Sequence, residues 1–526
     1  MTSQGYRQAR WEEATVFEIS VEGKQGFSLP SLEQSIEDVV GKPEDLVPER
    51  LRRNRSPELP HMSEVEVVNH FLRLSQMNYS VNAGRFYPLG SCTMKYNPVL
   101  NESVVSDPRL LWAHPYQDPS TVQGILEILY ELRTWLLELT GMDELSLEPA
   151  AGAHGELLGN LLIRAYHRHN GQLEERPEMI VPDSAHGTNP ASSKMAGFDT
   201  VTLPSLPDGC LDLEALKSAV SKRTAGLMLT NPNTLGIFES RIEEAAGIVH
   251  EAGGLLYYDG ANFNAIMGKC RPGDMGFDIV HLNLHKSFST PHGGGGPGAG
   301  PVGVKRFLSE YLPTPVLARR GDSYAWDWSR PRSIGKLRGF YGNIAVLVRA
   351  YAYILSLGAK GLEEVAEIAV LNSNYLAKKL SEVRGLALSC DTKRPRKHEF
   401  VLTASRMAKE TRVTALDLGK KLLDYGVHSP TIYFPLIVEE ALMIEPTETA
   451  PVEELDEFAQ SIKDISEAAY SDPETVKGAP TNTSVRRLDE ARAAHPRTFC
   501  PSWRRYKRME EQEIKSLEAA APKDAR

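Results

Sequence analysis

A single lysine, Lys286, closes an apolar segment and precedes a run of glycines in LNLHKSFSTPHGGGGPGAGPVGV, residues 282–304. Three chemistries use such a pattern: a phosphate-gripping loop, a flexible linker, or an active-site floor with a reactive amine. A Walker A loop needs its lysine after the glycines, followed by Ser or Thr. Here the lysine comes first and the run ends in a proline-broken segment, so that reading fails. Gly293, Gly295 and Gly298 satisfy GxGxxG by spacing. Pro297 interrupts that pattern, however, and PVGV reads as a strand where a dinucleotide fold requires a helix. A linker would not lie between two apolar strands of one domain. His281 and His285 stand four apart, but in a strand-like stretch without a third ligand, so zinc is discounted and no metal is expected.

The remaining reading makes Lys286 an amine nucleophile at a strand end. Such a lysine works when desolvated or set near other cations, and an apolar strand with His285 alongside suits it. A lysine at a strand end is also an ordinary surface feature, so the reading needs support from elsewhere. Asp259 supplies it, at the end of the strand in GLLYYDGANFNA. A carboxylate buried there requires a charged partner. The protonated pyridine nitrogen of pyridoxal phosphate is one, and its charge makes that cofactor an electron sink. Alone, Asp259 better suits a helix N-cap; paired with Lys286 on successive strands it favours the cofactor.

Two further loops fit the same site. EPAAGAHGELLGN passes from a strand through small residues into a helix, which directs the amides of Gly152, Ala153 and His154 at a phosphate. His154 is placed to lie flat on the cofactor ring, with a cap as its alternative. In TNPNTLGIFE, Thr234 is the candidate nearest the ring hydroxyl. In DSAHGTNPASS, His186 and Thr188 face substrate or phosphate.

These residues need strand ends to carry them. From residue 144 onward short apolar runs (LSLEPAAG, EMIVPDSAH, FDTVTLP, AGLMLTNPN, GLLYYDGA, DIVHLNLHK) alternate with helical or turn segments such as GELLGNLLIRAYHRH and EEAAGIVHEAG. That alternation predicts an α/β fold with a mostly parallel sheet covered by helices, whose ligands lie beyond the carboxyl ends of the strands. The expected organisation is an N-terminal arm and extension over 1–120, a large cofactor-binding domain over 121–345, a smaller C-terminal α/β domain over 346–490 and a tail over 491–526. HEFVLTA and LIVEEALMIEPTE read as strands of the smaller domain.

The chain has 526 residues, 41% hydrophobic and 24% charged. This is globular composition and too long for one ordinary domain. No run of about 18 apolar residues suggests a bilayer span, and the acidic N-terminal stretch lacks a signal core. The expected compartment is the cytoplasm, with no membrane partner. Five scattered cysteines and no CxxC pair suit reduced thiols. A net charge of −10 argues against general nucleic-acid binding.

RFYPLGSCTMKYNP, HPYQDPSTVQG, EPAAGAHGELLG, DSAHGTNPAS, TNPNTLGIFE, the block from YYDGANFNA to PVGV, SIGKLRGFYGN and TIYFPLIVEEALMIEPTET together extend over about residues 80–450. In these motifs the chain resembles the P-proteins of the glycine cleavage system, in particular subunit 2 of their two-subunit form. The resemblance implies a fold-type-I pyridoxal phosphate enzyme with the cofactor as a Schiff base on Lys286 and its ring nitrogen at Asp259. It implies decarboxylation of glycine, with transfer of the aminomethyl group to the lipoyl arm of H-protein. It also implies a homologous subunit 1 as partner in a heterotetramer of two of each. His154 completes the implied catalytic set with Lys286 and Asp259. Gly152, Ala153, Thr234, His186, Thr188 and His285 complete the cofactor contacts. Ser287 and Ala299 depart from the threonine and serine expected there, and the stretch from about Cys500 extends past the usual end. The rival readings are another fold-type-I enzyme, such as a cysteine desulfurase or aminotransferase, and a non-catalytic partner subunit. The basic stretch 317–339 suits an acidic partner, the cofactor phosphate or a solvated connection between domains. Cys92 reads as packing.

Overall fold

The computed structural model describes residues 12–55, 57–82, 84, 86–291, 298–390, 394–496 and 502–520. The glycine run 293–296, whose lack of side chains would let a neighbouring backbone approach Lys286 closely, lies outside them. The chain forms two compact units. One holds Ser80–Ala479, and the other is built from the described parts of Tyr6–Tyr79 and Pro480–Arg526.

The large sheet of the first unit has seven strands: β1 (Glu144–Ser146), β2 (Glu178–Pro182), β3 (Asp199–Leu203), β4 (Thr224–Thr230), β5 (Leu255–Gly260), β6 (Ile279–Leu282) and β7 (Val302–Val304). Their spatial order is β1-β7-β6-β5-β4-β2-β3. From β3 to β6 all pairings are parallel, and β7 is antiparallel to both its neighbours. Every residue of β4, β5 and β6 is buried, as parallel strands covered on both faces must be. The period of two divides them between two cores. Leu227, Leu229, Leu256 and Tyr258 face the core that includes helix α1 (Gln123–Thr140). Met228, Leu255 and Tyr257 face the core under helix α2 (Gly152–His169).

The basic stretch forms a hairpin, β8 (Val316–Arg320) and β9 (Ser323–Asp327), turning at Gly321. Beyond it, helix α3 (Ile344–Ser381) is broken at Gly358, whose φ of 63° leaves the helical range. Val346, Leu347, Ala350 and Tyr353 join the first core, while Leu376, Ala377 and Leu380 join that of the smaller sheet. By length and composition α3 would also span a bilayer, yet it serves two protein cores, with Leu362, Val365 and Ala366 beyond the break still in the first.

The smaller sheet is antiparallel, in the order β10-β11-β13-β12, from β10 (Ala387–Leu388), β11 (Phe400–Thr403), β12 (Thr431–Ile432) and β13 (Ala441–Ile444). Helices α4 (Ala415–Asp424) and α5 (Val452–Ser471) cover it. The expected strand LIVEEALMIEPTE shortens to β13, because LIVEE lies outside any strand. The segment 88–90 pairs with the end of β13 beyond β12, through a bridge between Leu89 and Ile444 and a bond from the Gly90 amide to the Met443 carbonyl.

In the other unit, helix Glu64–Met77 starts at a capping box of Ser63 and Glu66. Glu13 accepts from Arg73 and pairs with buried His70 at 2.8 Å.

Gly260 closes β5 directly after Asp259. A Cβ there would lie 1.8 Å from the His281 carbonyl oxygen of β6, and backbone cannot yield as a side-chain tip can. Gly260→Ala is therefore expected to destabilise the protein by about 1–3 kcal/mol, as overpacking does, measured by denaturant unfolding. Unchanged stability would mean that β5 and β6 are not so closely apposed.

Candidate active site

Lys286 sits in the single helical turn Leu284–Ser287 that follows β6. The strand-like segment expected through His285 thus ends at Leu282. The Lys286 amine donates to the Ser91 carbonyl at 2.8 Å. His285 lies beside it, its Nδ1 3.3 Å from the Ala299 amide, which donates to it.

Asp259 ends β5 at 1% exposure. Its carboxylate accepts from the Ala261 amide at 3.0 Å and the Thr230 hydroxyl at 3.2 Å, and lies 3.4 Å from Nε2 of buried His281. Burial alone would raise this carboxyl. The contacts with His281 and the Ala261 amide, the charge of Lys286 and the nearby His186 imidazole outweigh burial and hold it below the usual range. Burial pushes His281 down to about 4, so it is neutral at pH 7. Among the described residues no lysine or arginine makes an ion pair with Asp259. The charge is therefore stabilised by hydrogen bonds and by Lys286 at longer range, which leaves it open to a cationic ligand.

The turn before α2 brings its N-terminus to the same strand ends, with first-turn amides that have no intrahelical acceptor. Gly152 packs so closely on Asn283 that a Cβ would lie 2.0 Å from its Oδ1. Gly300 comes equally close to the Ala151 carbonyl, so the strand leading into β7 is pressed against this turn. Ala153 follows in the first turn of α2. His154 accepts from the Ala150 amide at 3.3 Å, one residue ahead of N-cap Ala151, which itself makes no side-chain cap bond. Burial, with the charge of Arg338, lowers its pKa. A neutral, half-buried imidazole remains suited to stacking.

His186 and Thr188 meet each other, with Nδ1 and the hydroxyl 2.8 Å apart. Thr234 is 2% exposed and its hydroxyl donates to the Ser184 carbonyl, so it is committed to holding two loops together.

Residues 31–323 match the family described as Glycine cleavage system P-protein, and residues 365–484 match Glycine dehydrogenase, C-terminal domain. The probable glycine dehydrogenase (decarboxylating) subunit 2 of Pyrococcus furiosus is 59% identical over 508 residues, 96% of this chain and 99% of its own. The chain belongs to the P-protein family. A subunit 2 from Caldanaerobacter subterraneus is 57% identical over 480 residues, 91% of this chain and 96% of its own. Among solved structures, an inhibitor-bound glycine decarboxylase (P-protein) of the glycine cleavage system aligns with a TM-score of 0.69 at 22% identity, over 84% of this chain and 100% of that one. A sphingosine-1-phosphate lyase from Burkholderia pseudomallei aligns at 0.59 and 15% identity, over 82% and 96%. These likenesses show the fold, which is the fold type I expected from the sequence.

Within this P-protein fold the site recruits residues that motif reading passed over. Glu156, two residues after His154, is 4% exposed and faces Asp259 and His281. Its signal was an acid in the otherwise apolar face of GELLGNLL. Glu399 and Glu445, which flank β11 and β13, are fully buried beneath the turn that touches Lys286. Glu399 accepts from the Ser91 amide at 2.9 Å, and Glu445 from the Thr93 amide at 3.0 Å. Ser91 and Thr93 have φ of 64° and 36°. Such left-handed conformations cost about 1–2 kcal/mol each for residues with a Cβ, and the two carboxyls offset that by binding the amides.

Lys95, from the motif GSCTMK, is a second buried lysine. Its amine donates to Asn264, to the Ser287 carbonyl and to Glu448, each at 2.9 Å. It ties the extension to the turn of Lys286 and to the smaller domain. Lys95→Met is expected to cost about 3–5 kcal/mol because it strands buried Glu448. The double variant Lys95→Met, Glu448→Gln should recover part of that loss in denaturant unfolding. A single variant as stable as the parent would contradict the pairing.

Proposed function

We propose that this chain is the glycine-decarboxylating, cofactor-bearing subunit of a two-subunit glycine dehydrogenase, with Lys286 as the covalent attachment point of pyridoxal phosphate. The observation that carries the reading is the buried Asp259 at the end of β5, whose carboxylate accepts from the Ala261 amide and the Thr230 hydroxyl and, among the described residues, pairs with no lysine or arginine. That arrangement suits a ligand with a protonated ring nitrogen and an aldehyde.

When bound, the cofactor supplies the electron sink that lets the carboxylate of glycine leave as CO2. The chain's own residues prepare for that. Asp259 holds a ring-nitrogen proton because it stays ionised. The amides of Gly152, Ala153 and His154 offer donors to a phosphate at the start of α2. Neutral His154 offers a flat face without a competing charge. His285, packed between the Lys286 turn and the strand before β7, fixes that turn. The Ser91 carbonyl receives a proton of the Lys286 amine, so a lysine freed from covalent work is held in place rather than released to solvent. His186 and Thr188 lie on the rim toward substrate.

The partners in this reading are a homologous subunit 1, in a heterotetramer of two of each, and a lipoylated H-protein that accepts the aminomethyl group. The setting is the cytoplasm. The P. furiosus protein named subunit 2 supports a split enzyme, since it is matched over nearly its whole length.

An absorbance scan is the direct test. Protein with added pyridoxal phosphate should show a band near about 420 nm, characteristic of the lysine-bound cofactor, that is missing in Lys286→Ala. Protein that stays colourless would overturn the reading. Exchange of labelled bicarbonate into the glycine carboxyl should require this chain, subunit 1 and H-protein together. Equal exchange by this chain and H-protein alone would refute the two-subunit claim.

A further inference from the structure

Two carboxyls, Glu156 and Asp259, stand at the same buried end of the site. Each offers an oxygen within a group that includes a His281 nitrogen and whose atoms all lie within 4.8 Å of one another. They are not equivalent. Asp259 receives the Ala261 amide and the Thr230 hydroxyl. Glu156 Oε1 meets the Thr188 hydroxyl at 2.8 Å, Oε2 makes no hydrogen bond, and the Ser192 hydroxyl adds a weaker contact to the carboxyl.

The polarity of the Thr188 contact is set by a backbone group. The Thr188 amide donates to His186 Nδ1 at 3.3 Å, so Nδ1 is an acceptor. The Thr188 hydroxyl lies 2.8 Å from the same nitrogen and must therefore direct its proton there. Its oxygen is then left facing Glu156 Oε1 with a lone pair, and only a protonated carboxyl makes that contact attractive.

We propose that Glu156 is a neutral carboxylic acid that donates through the Thr188 hydroxyl to His186 Nδ1, which leaves Asp259 as the single carboxylate at this end of the site and fixes His186 with its proton on Nε2. Glu156 is thus a positioning residue that sets the tautomer of a rim histidine and the net charge beneath the cofactor ring. The consequence for the cofactor rests on the reading of Asp259 above; the protonation of Glu156 does not.

The electrostatics agree. Burial, then the charge of Asp259, pushes Glu156 up to about 8, against the lowering by Thr188 and Lys286. Burial lowers His186, consistent with a neutral acceptor. The other titratable groups packed here are His281, neutral through burial, and Tyr257, its hydroxyl 2.7 Å from His281 Nδ1 and pushed well above its ordinary value by burial. A carboxyl raised on folding binds a proton that the unfolded chain releases. Its stabilising effect is present at low pH and is lost between the ordinary value of 4.5 and about 8.

Infrared difference spectra of cofactor-free protein, parent minus Glu156→Gln, test this. The subtraction separates Glu156 from Glu148 and Glu445, both also pushed up by burial to about 7. A protonated-carboxyl stretch should be present at about pH 6 and disappear as pH rises through about 8. A carboxylate signal alone at pH 6 would overturn the proposal. Should Glu156→Gln fail to fold, nitrogen-15 shifts of His186 in the parent decide: Nδ1 unprotonated supports the relay, and Nδ1 protonated refutes it. The glutamine amide can also donate to Thr188, so Glu156→Gln should bind pyridoxal phosphate within about threefold of the parent, and Glu156→Leu more than about tenfold more weakly. Equal weakening in both variants would show that a charge was needed and count against the proposal. Protein that takes up no cofactor but keeps the carboxyl band would fail the proposed function while leaving this inference standing.

Discussion

A charge buried at the end of a strand costs far more than any single packing contact returns, and much of this molecule is arranged around that fact at Asp259. The strand that carries it is covered on both faces, so water cannot reach the carboxylate. The fold answers with the Ala261 amide, the Thr230 hydroxyl and the distant charge of Lys286. It supplies no arginine or lysine in direct contact among the described residues. A direct ion pair would satisfy the charge and close the site to ligands; partial satisfaction keeps it ionised and available. The neighbouring Glu156 is tolerable only while its own carboxyl is neutral, since two like charges in so small a volume cannot both persist.

The second dependence is on the turn at 90–93. Lys286 belongs to the large sheet, yet the carbonyl that receives its amine proton is that of Ser91. The turn bearing Ser91 is shaped by Glu399 and Glu445 of the smaller sheet. Lys95 then fastens the same extension to the Ser287 carbonyl and to Glu448. Three parts of the chain, far apart in sequence, therefore meet at one amine. Helix α3 contributes to both cores, the first as far as Ala366 and the second from Leu376, so the two sheets share the packing that holds this meeting point.

The parallel sheet and the strand ends that carry Lys286 and Asp259 were legible because each leaves a local mark: an apolar run of strand length, then a polar residue where the run stops. The start of α2 was legible from small residues before a helical period. Thr234 was harder, because an Asn-Pro turn signals an approach to the site but not which atom the hydroxyl meets; the structure gives it to Ser184. His154 has the same character, since its ring also accepts from Ala150. LIVEE looked like a strand from its apolar residues alone, and the partner strands do not extend to it.

By itself the sequence determined the alternation of strands and helices, the class of the fold and the strand-end setting of Lys286 and Asp259, since periodicity and strand-end chemistry are properties of neighbouring residues. Only the tertiary structure decided that Glu156 faces Asp259, that Lys95 is buried, and that Glu399 and Glu445 shape the turn under Lys286. A carboxyl or an amine in a sequence carries the same charge wherever it stands. Its burial, its partners and hence its protonation are set by residues hundreds of positions away, which come together only when the two sheets pack.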